Sequence, residues 1–111
     1  MMPPAGTFLA RVRDGVIQLP PPLKQYCEAQ SWTLFHFALI GSDHLTMKPV
    51  LGGDMGAPFH ASLNPDGRLR VPEGLRNRIS LGEQSVMMRM EEGIMHVYLR
   101  RVFDTLGFRP R

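Results

Sequence analysis

Polar and apolar residues alternate along several short stretches of this chain, as expected for strands that bury one face. In residues 7–13 the apolar side chains at positions 8, 10 and 12 share one face, and Arg11 and Arg13 lie on the other. The same alternation, or an unbroken run of aromatic and β-branched residues, marks seven further stretches. The predicted strands cover residues 7–13, 16–19, 32–40, 44–48, 59–64, 68–71, 86–90 and 94–101. Two short helices are predicted over residues 23–29 and 72–79, where Leu75 and Ile79 lie four positions apart on one face.

Turn residues divide the pattern into two similar units. Asp14-Gly15 and Asp66-Gly67 tolerate the backbone angles that reverse a strand, and they lie 52 positions apart. A shift of 52 also brings Leu23 onto Leu75 and Lys24 onto Arg76. A period of this size indicates two copies of one structural unit.

The copies predict the domain organisation. Residues 7–50 form repeat 1, residues 51–58 a linker with three glycines and a proline, residues 59–101 repeat 2, and residues 102–111 a C-terminal tail. A unit of about 50 residues buries too little surface to be stable alone. We therefore expect a mostly β fold with short helices, either as one compact domain or as two interlocked halves.

Composition narrows the function. The 111 residues carry a net charge of +3, and no apolar run reaches membrane-spanning length. The single cysteine, Cys27, excludes a disulfide within the chain and fits a reducing cytoplasm. No catalytic constellation or metal-ligand spacing is present, so we expect neither an enzyme nor a cofactor. Arginines cluster at positions 68, 70, 76 and 78, which indicates a polyanionic partner.

The second unit resembles the AbrB/SpoVT/MazE group of swapped-hairpin DNA-binding domains. The resemblance lies in residues 64–72, which read NPDGRLRVP, in Leu75-Arg76, and in the hairpin of residues 86–101. Two such units in one chain resemble the MraZ family in particular. That resemblance implies an AbrB-like swapped-hairpin β-barrel, in which the two tandem repeats of one chain interleave as a pseudo-dimer. It also implies binding to double-stranded DNA, transcriptional regulation, a nucleoid-associated location and homo-oligomers, either a dimer or a ring on short direct repeats.

The family's DNA-contacting arginines fall on Arg68 and Arg76 in the second unit, but on Val16 and Lys24 in the first. The Asp-x-x-x-Arg signature of MraZ proteins is replaced by Asn64 and Arg68 in the second unit and is absent from the first.

Strand geometry predicts how the first unit can present arginines although Val16 replaces the family's arginine. If Asp14-Gly15 is a two-residue loop, Arg13 lies opposite Val16 and Arg11 opposite Gln18. The first unit then presents its arginines from the other strand of the hairpin. The predicted DNA-binding residues are Arg11, Arg13, Lys24, Arg68, Arg70 and Arg76.

Arginine suits this role because it pairs bidentately with guanine edges and neutralises phosphates, and a two-stranded ribbon fits the major groove. Two alternatives to DNA binding remain. The second-ranked function is a protein-interaction module of the same fold that does not bind DNA, and the third-ranked is a MazE-like antitoxin with a toxin-binding tail.

We interpret the other conspicuous residues as structural. These are the histidines at 36, 44, 60 and 96, the methionines of the last hairpin, the aromatic residues of the strand at 32–40, and Cys27.

Overall fold

The structure is a computed structural model and describes residues 2–41, 43–51, 59–79 and 83–99. This part of the chain contains eight strands and two α-helices in the predicted order, with four strands and one helix in each unit. The elements are β1 (Thr7–Arg13), β2 (Val16–Gln18), α1 (Pro21–Gln30), β3 (Leu34–Gly41), β4 (His44–Pro49), β5 (His60–Ser62), β6 (Arg68–Arg70), α2 (Glu73–Arg76), β7 (Gln84–Glu91) and β8 (Ile94–Tyr98).

The element types agree with the sequence pattern, but several bounds differ. The helix predicted over residues 72–79 is shorter, because Pro72 is its N-terminal cap and the regular helix is the single turn Glu73–Arg76. Ile79, predicted to be the last helical residue, is nonetheless buried. The last strand is described as far as Tyr98, and Leu99 follows it without regular structure. Three predicted segments lie wholly or partly outside the described residues. They are residues 100–101 of that strand, the tail at 102–111, and residues 52–58 of the linker.

The strands form one antiparallel sheet that curls into a nearly closed barrel. Their order is β5-β3-β4-β8-β7-β1-β2-β6, and a bridge between Leu63 and Leu69 brings the two edges together. The expectation of a mostly β barrel is therefore confirmed.

The two halves of the chain, residues 7–50 and 59–99, interleave in this sheet. The first strand of each half pairs with the third strand of the other half, β1 with β7 and β5 with β3. Two further pairings between the halves, β2 with β6 and β4 with β8, lie on opposite sides of the barrel. Neither half makes a complete sheet by itself. The boundaries of the two repeats stay a prediction.

A single core fills the barrel. Side chains from both halves, including Val12, Ile17, Phe35, Leu69 and Val97, are completely buried in it. Each fully buried aliphatic or aromatic side chain contributes about 1.5–3 kcal/mol through the hydrophobic effect. Pairs of strands from the two halves alternate around the sheet. The hydrophobic stabilisation of the core is therefore available only when both halves fold together.

The turns at Gly15 and Gly67 are each covered by a basic side chain from the other half. A Cβ atom added to Gly15 would lie 2.5 Å from Cδ of Arg76, and one added to Gly67 would lie 2.7 Å from Cδ of Lys24. The same glycines accept backbone hydrogen bonds from the other half, from Val71 N to Gly15 O and from Leu19 N to Gly67 O, each 2.8 Å long. The turns are thus contact points between halves as well as chain reversals.

This packing predicts unequal costs for two glycine substitutions. Gly15 and Gly93 have similar positive φ angles of 75° and 78°, but only Gly15 is covered by a side chain. Gly93→Ala should lower the free energy of unfolding by about 1 kcal/mol, the cost of a left-handed alanine. Gly15→Ala should cost more, about 2 kcal/mol, because Arg76 must also move. Urea denaturation of both variants measures the difference.

The control removes the covering side chain. In an Arg76→Ala background, Gly15→Ala should cost no more than Gly93→Ala does. An unchanged extra cost in that background would contradict the contact between Arg76 and the turn.

Candidate nucleic-acid interface

The outer face of β1, β2 and β6 forms an open groove with a volume of about 740 Å³. We call it the basic groove. Its walls include four of the six predicted DNA-binding residues, together with polar side chains from the end of β5 and from the segment that follows it. The lining residues are Arg11, Arg13, Asp14, Val16, Gln18, Ser62, Asn64, Arg68, Leu69 and Arg70.

Strand register arranges the groove in two rows. Gln18 pairs with Arg11 on one side and with Arg68 on the other. Val16 pairs in the same way with Arg13 and Arg70. Directly paired residues project to the same face of a sheet, so all four arginines lie on the outer surface. The predicted register around Asp14-Gly15 is therefore correct.

Arg68 is held in place by a short chain of hydrogen bonds. Its Nε donates to Oε1 of Gln18 over 3.1 Å, and Nε2 of Gln18 donates to the carbonyl oxygen of Asp66 over 2.9 Å. The backbone on either side of this arginine is also fixed, because Oδ1 of Asn64 accepts hydrogen bonds from the amides of Asp66 and Arg68. Only the Nε of the guanidinium is used in this tether, so its terminal nitrogens can still donate to a ligand.

The other arginines differ in their partners. Arg13 forms an ion pair with Glu83 at 3.1 Å, and both side chains are 64% exposed. An ion pair this exposed contributes at most about 1 kcal/mol, so a phosphate can compete for Arg13. Within the described part of the chain, Arg11 and Arg70 make no side-chain hydrogen bond or ion pair. Two guanidinium groups on this face are therefore available without breaking an existing contact.

The remaining two predicted residues do not line the groove. Arg76 and Lys24 are half-buried against the turns at Gly15 and Gly67. The Nε atom of Arg76 is buried without a hydrogen-bond partner in the described structure, and Lys24 pairs with Glu28 at 2.7 Å. Each of these two side chains thus lies over a turn of the other half rather than in the basic groove, and their contact with DNA stays a prediction.

Sequence reasoning missed some members of this surface. Ser62 and Asn64 line the groove beside β6, at the positions of β5 and its extension that correspond to Arg11 and Arg13 of β1. The only available signal was the Asn-Pro-Asp-Gly order at the turn, which is typical of an asparagine that caps a chain reversal. No feature of the sequence indicated the ion pair between Arg13 and Glu83, because 70 residues separate these two residues.

Histidines meet on the opposite side of the barrel. Nε2 of His44 in β4 lies 2.9 Å from Nδ1 of His96 in β8, and the ring of Tyr98 stacks on His44 with centroids 4.5 Å apart. Burial, and then the proximity of His96, lowers the pKa of His44, although Asp43 and Glu91 act in the opposite direction. His36 and His60 form a second, looser pair with ring centroids 6.2 Å apart.

Other candidate chemistry is absent from the described residues. Burial raises the pKa of the Cys27 thiol to about 11, so it stays protonated and unreactive near neutral pH. Phe35 and Phe37 are buried and belong to the core rather than to a base-stacking surface. Over residues 2–41, 43–51, 59–79 and 83–99, no three His, Cys, Asp or Glu side chains cluster as ligands for a metal ion. In the same residues, no helix is long and apolar enough to cross a membrane.

Comparison with known proteins adds no assignment: no protein-family model matches this chain, and no curated protein matches it. The resemblance to AbrB and MraZ proteins therefore rests on the residues quoted above and stays a prediction.

The environment of His44 predicts a pH-dependent stability. Its pKa is lowered in the folded state, so the unfolded chain binds a proton more readily there. Stability should therefore be complete above the pKa of the unfolded histidine and should fall as the pH drops below it. Urea denaturation between about pH 7.5 and about pH 5.5 should show a steeper loss for wild type than for His44→Gln.

His36→Gln is the matched control, since it removes a half-buried histidine of β3 that lies outside the contact between His44 and His96. Equal slopes for wild type and His44→Gln would show that His44 does not contribute to this pH dependence.

Proposed function

We propose that this chain binds double-stranded DNA through the basic groove and acts as a transcriptional regulator. One observation carries the proposal: four arginines from two distant segments share one outer face. Arg11 and Arg13 come from the first half, and Arg68 and Arg70 come from the second. Net charge alone is a weak argument at +3, but the charge is concentrated here.

The dimensions of this face support the proposal. Neighbouring strands lie about 4.8 Å apart, so β1, β2 and β6 together span about 10 Å. The major groove of B-DNA is about 12 Å wide and admits a β-ribbon. Strand β2 lies in the middle of this face, with the arginines of β1 on one side and those of β6 on the other. A duplex seated there therefore meets positive charge from both halves.

The partners of each arginine support a division of roles. Arg68 is tethered to Gln18 and loses little conformational entropy on binding, which suits a bidentate contact with a guanine edge. Arg11 and Arg70 have no partner in the described structure and suit phosphate contacts that set position without reading sequence.

The regulatory role follows from the resemblance to AbrB and MraZ proteins. On this proposal the chain acts in the cytoplasm at the nucleoid. Assembly into a dimer or a ring would place several basic grooves along one duplex, and multivalency would then raise the affinity without new contacts.

Two negative groups give the alternative function its support. Asp14 lies in the groove and Glu83 pairs with Arg13. A surface of mixed charge also fits a protein-interaction module of the same fold that does not bind DNA. The tail on which an antitoxin would depend, residues 102–111, lies outside the described residues. The salt dependence of DNA binding distinguishes the DNA-binding function from the protein-interaction module.

Fluorescence anisotropy with a labelled generic duplex, at several salt concentrations, tests the proposal. If the four arginines contact phosphates, the slope of log affinity against log salt should be about −3 to −4, at about −0.9 for each phosphate. Arg11→Ala/Arg70→Ala should reduce the slope by about 2 and weaken binding at least about tenfold. Both residues are exposed and unpaired, so the fold should be unaffected.

The control is Lys48→Ala/Arg89→Ala, which removes the same net charge from β4 and β7, outside the groove. It should leave the slope nearly unchanged. If both double variants lost the same amount of affinity and slope, DNA binding would depend on net charge and not on the basic groove. Absence of binding by folded wild type at low salt would contradict DNA binding and favour the protein-interaction module.

A further inference from the structure

The two histidines at the junction of β4 and β8 bring two nitrogen atoms together across the halves. His44 belongs to the first half and His96 to the second, and 52 residues separate them. Their facing atoms, Nε2 of His44 and Nδ1 of His96, are 2.9 Å apart, and the ring centroids are 5.1 Å apart. Both side chains are half-buried on the outer face of the barrel and can be reached by solvent ions.

The hydrogen bond between these rings needs one proton on one of the two facing nitrogens. A neutral imidazole can instead carry its proton on its other nitrogen. If both rings do so, two lone pairs face the same space and no proton has to leave the protein. The neutral imidazole is the form that binds a metal ion.

We propose that His44 and His96 form a two-imidazole binding site for a divalent transition ion such as Zn²⁺, with water molecules as the remaining ligands. Imidazole nitrogen favours Zn²⁺, Cu²⁺ and Ni²⁺ over Mg²⁺ and Ca²⁺, which prefer oxygen ligands. With metal–nitrogen bonds of about 2.0–2.1 Å, two ligands lie about 2.9–3.3 Å apart, between right-angled and tetrahedral coordination. The observed separation of 2.9 Å falls at the lower end of this range. Ion binding therefore requires the two rings to turn until both lone pairs point at the ion, with little change in the distance between the two nitrogens.

The charged groups around the pair are compatible with a cation. Asp43 and Glu91 both act on His44 in the direction that favours positive charge. Arg89 lies opposite His96 in the strand register, but its guanidinium is paired with Glu91 at 3.0 Å. Tyr98 stacks on one face of the His44 ring, whereas the nitrogen lone pairs lie at the ring edge.

The position of the site gives the ion a structural consequence. β4 and β8 form one of the junctions between the halves, on the side of the barrel away from the basic groove. An ion held by one ligand from each half binds only the folded chain, so it stabilises the fold by mass action. This inference is independent of DNA binding.

The second histidine pair provides the matched comparison. His36 and His60 lie directly opposite each other on β3 and β5, but their ring centroids are 6.2 Å apart and the rings are stacked within 17°. No hydrogen bond joins these two rings. These four residues are all the histidines of the chain, so single substitutions identify the ligands.

Isothermal titration calorimetry of the full chain with ZnCl₂, in a buffer that does not bind metals, tests the proposal. Wild type should bind one ion, and MgCl₂ should give no binding. His44→Gln and His96→Gln should each weaken the Zn²⁺ affinity by about tenfold or more, since even indirect partners of metal ligands have effects of this size. His36→Gln should bind Zn²⁺ as wild type does.

The midpoint of urea denaturation is a second readout, and it also shows whether each variant folds. Zn²⁺ should raise the urea midpoint of wild type and of His36→Gln but not that of His44→Gln or His96→Gln. The proposal is overturned if wild type binds no Zn²⁺. It is equally overturned if both His44→Gln and His96→Gln bind as wild type does, or if His36→Gln alone loses the site.

Discussion

The backbone hydrogen bonds between β2 and β6 set the arrangement on which the proposed function depends. These two strands come from different halves, and their register brings Gln18 opposite Arg68 and Val16 opposite Arg70. Because β1 pairs with β2 at the same time, the arginines of both halves fall into two rows on one face. A shift of one residue in this pairing would turn Arg68 and Arg70 into the core and Leu69 out to solvent. The full burial of Ile17 and Leu69 therefore fixes the groove as well as the barrel.

Local pattern was sufficient to predict most of the elements. Asp14-Gly15 predicted both a turn and the register of the strands beside it, because a two-residue loop allows little freedom. The helix at 72–79 was predicted too long, since spacing of Leu75 and Ile79 suggests helix even where the chain makes only one regular turn. Contacts between halves were harder to predict. The tether from Gln18 to Arg68, the ion pair of Arg13 with Glu83, and the meeting of His44 with His96 each depend on how the two halves interleave.

The two junctions between the halves have different chemical character. At β2–β6 the outer surface carries guanidinium groups, with a Gln side chain that orients one of them. At β4–β8, diametrically across the sheet order, it carries two imidazoles and a stacked tyrosine. The first surface suits an extended anion, and the second suits a small cation. One interleaved barrel thus presents two separate candidate sites, both of which require the halves to be together.

Backbone amide NMR during titration with a DNA duplex tests the central claim most directly, because it locates the contact surface without altering the protein. The account predicts that the largest chemical-shift changes occur on β1, β2 and β6, at Arg11, Gln18 and Arg68. It predicts that Thr46 and Val97, on the opposite junction, remain unchanged. Binding of the duplex with shift changes concentrated on β4 and β8 instead would contradict the assignment of the basic groove as the DNA-binding surface.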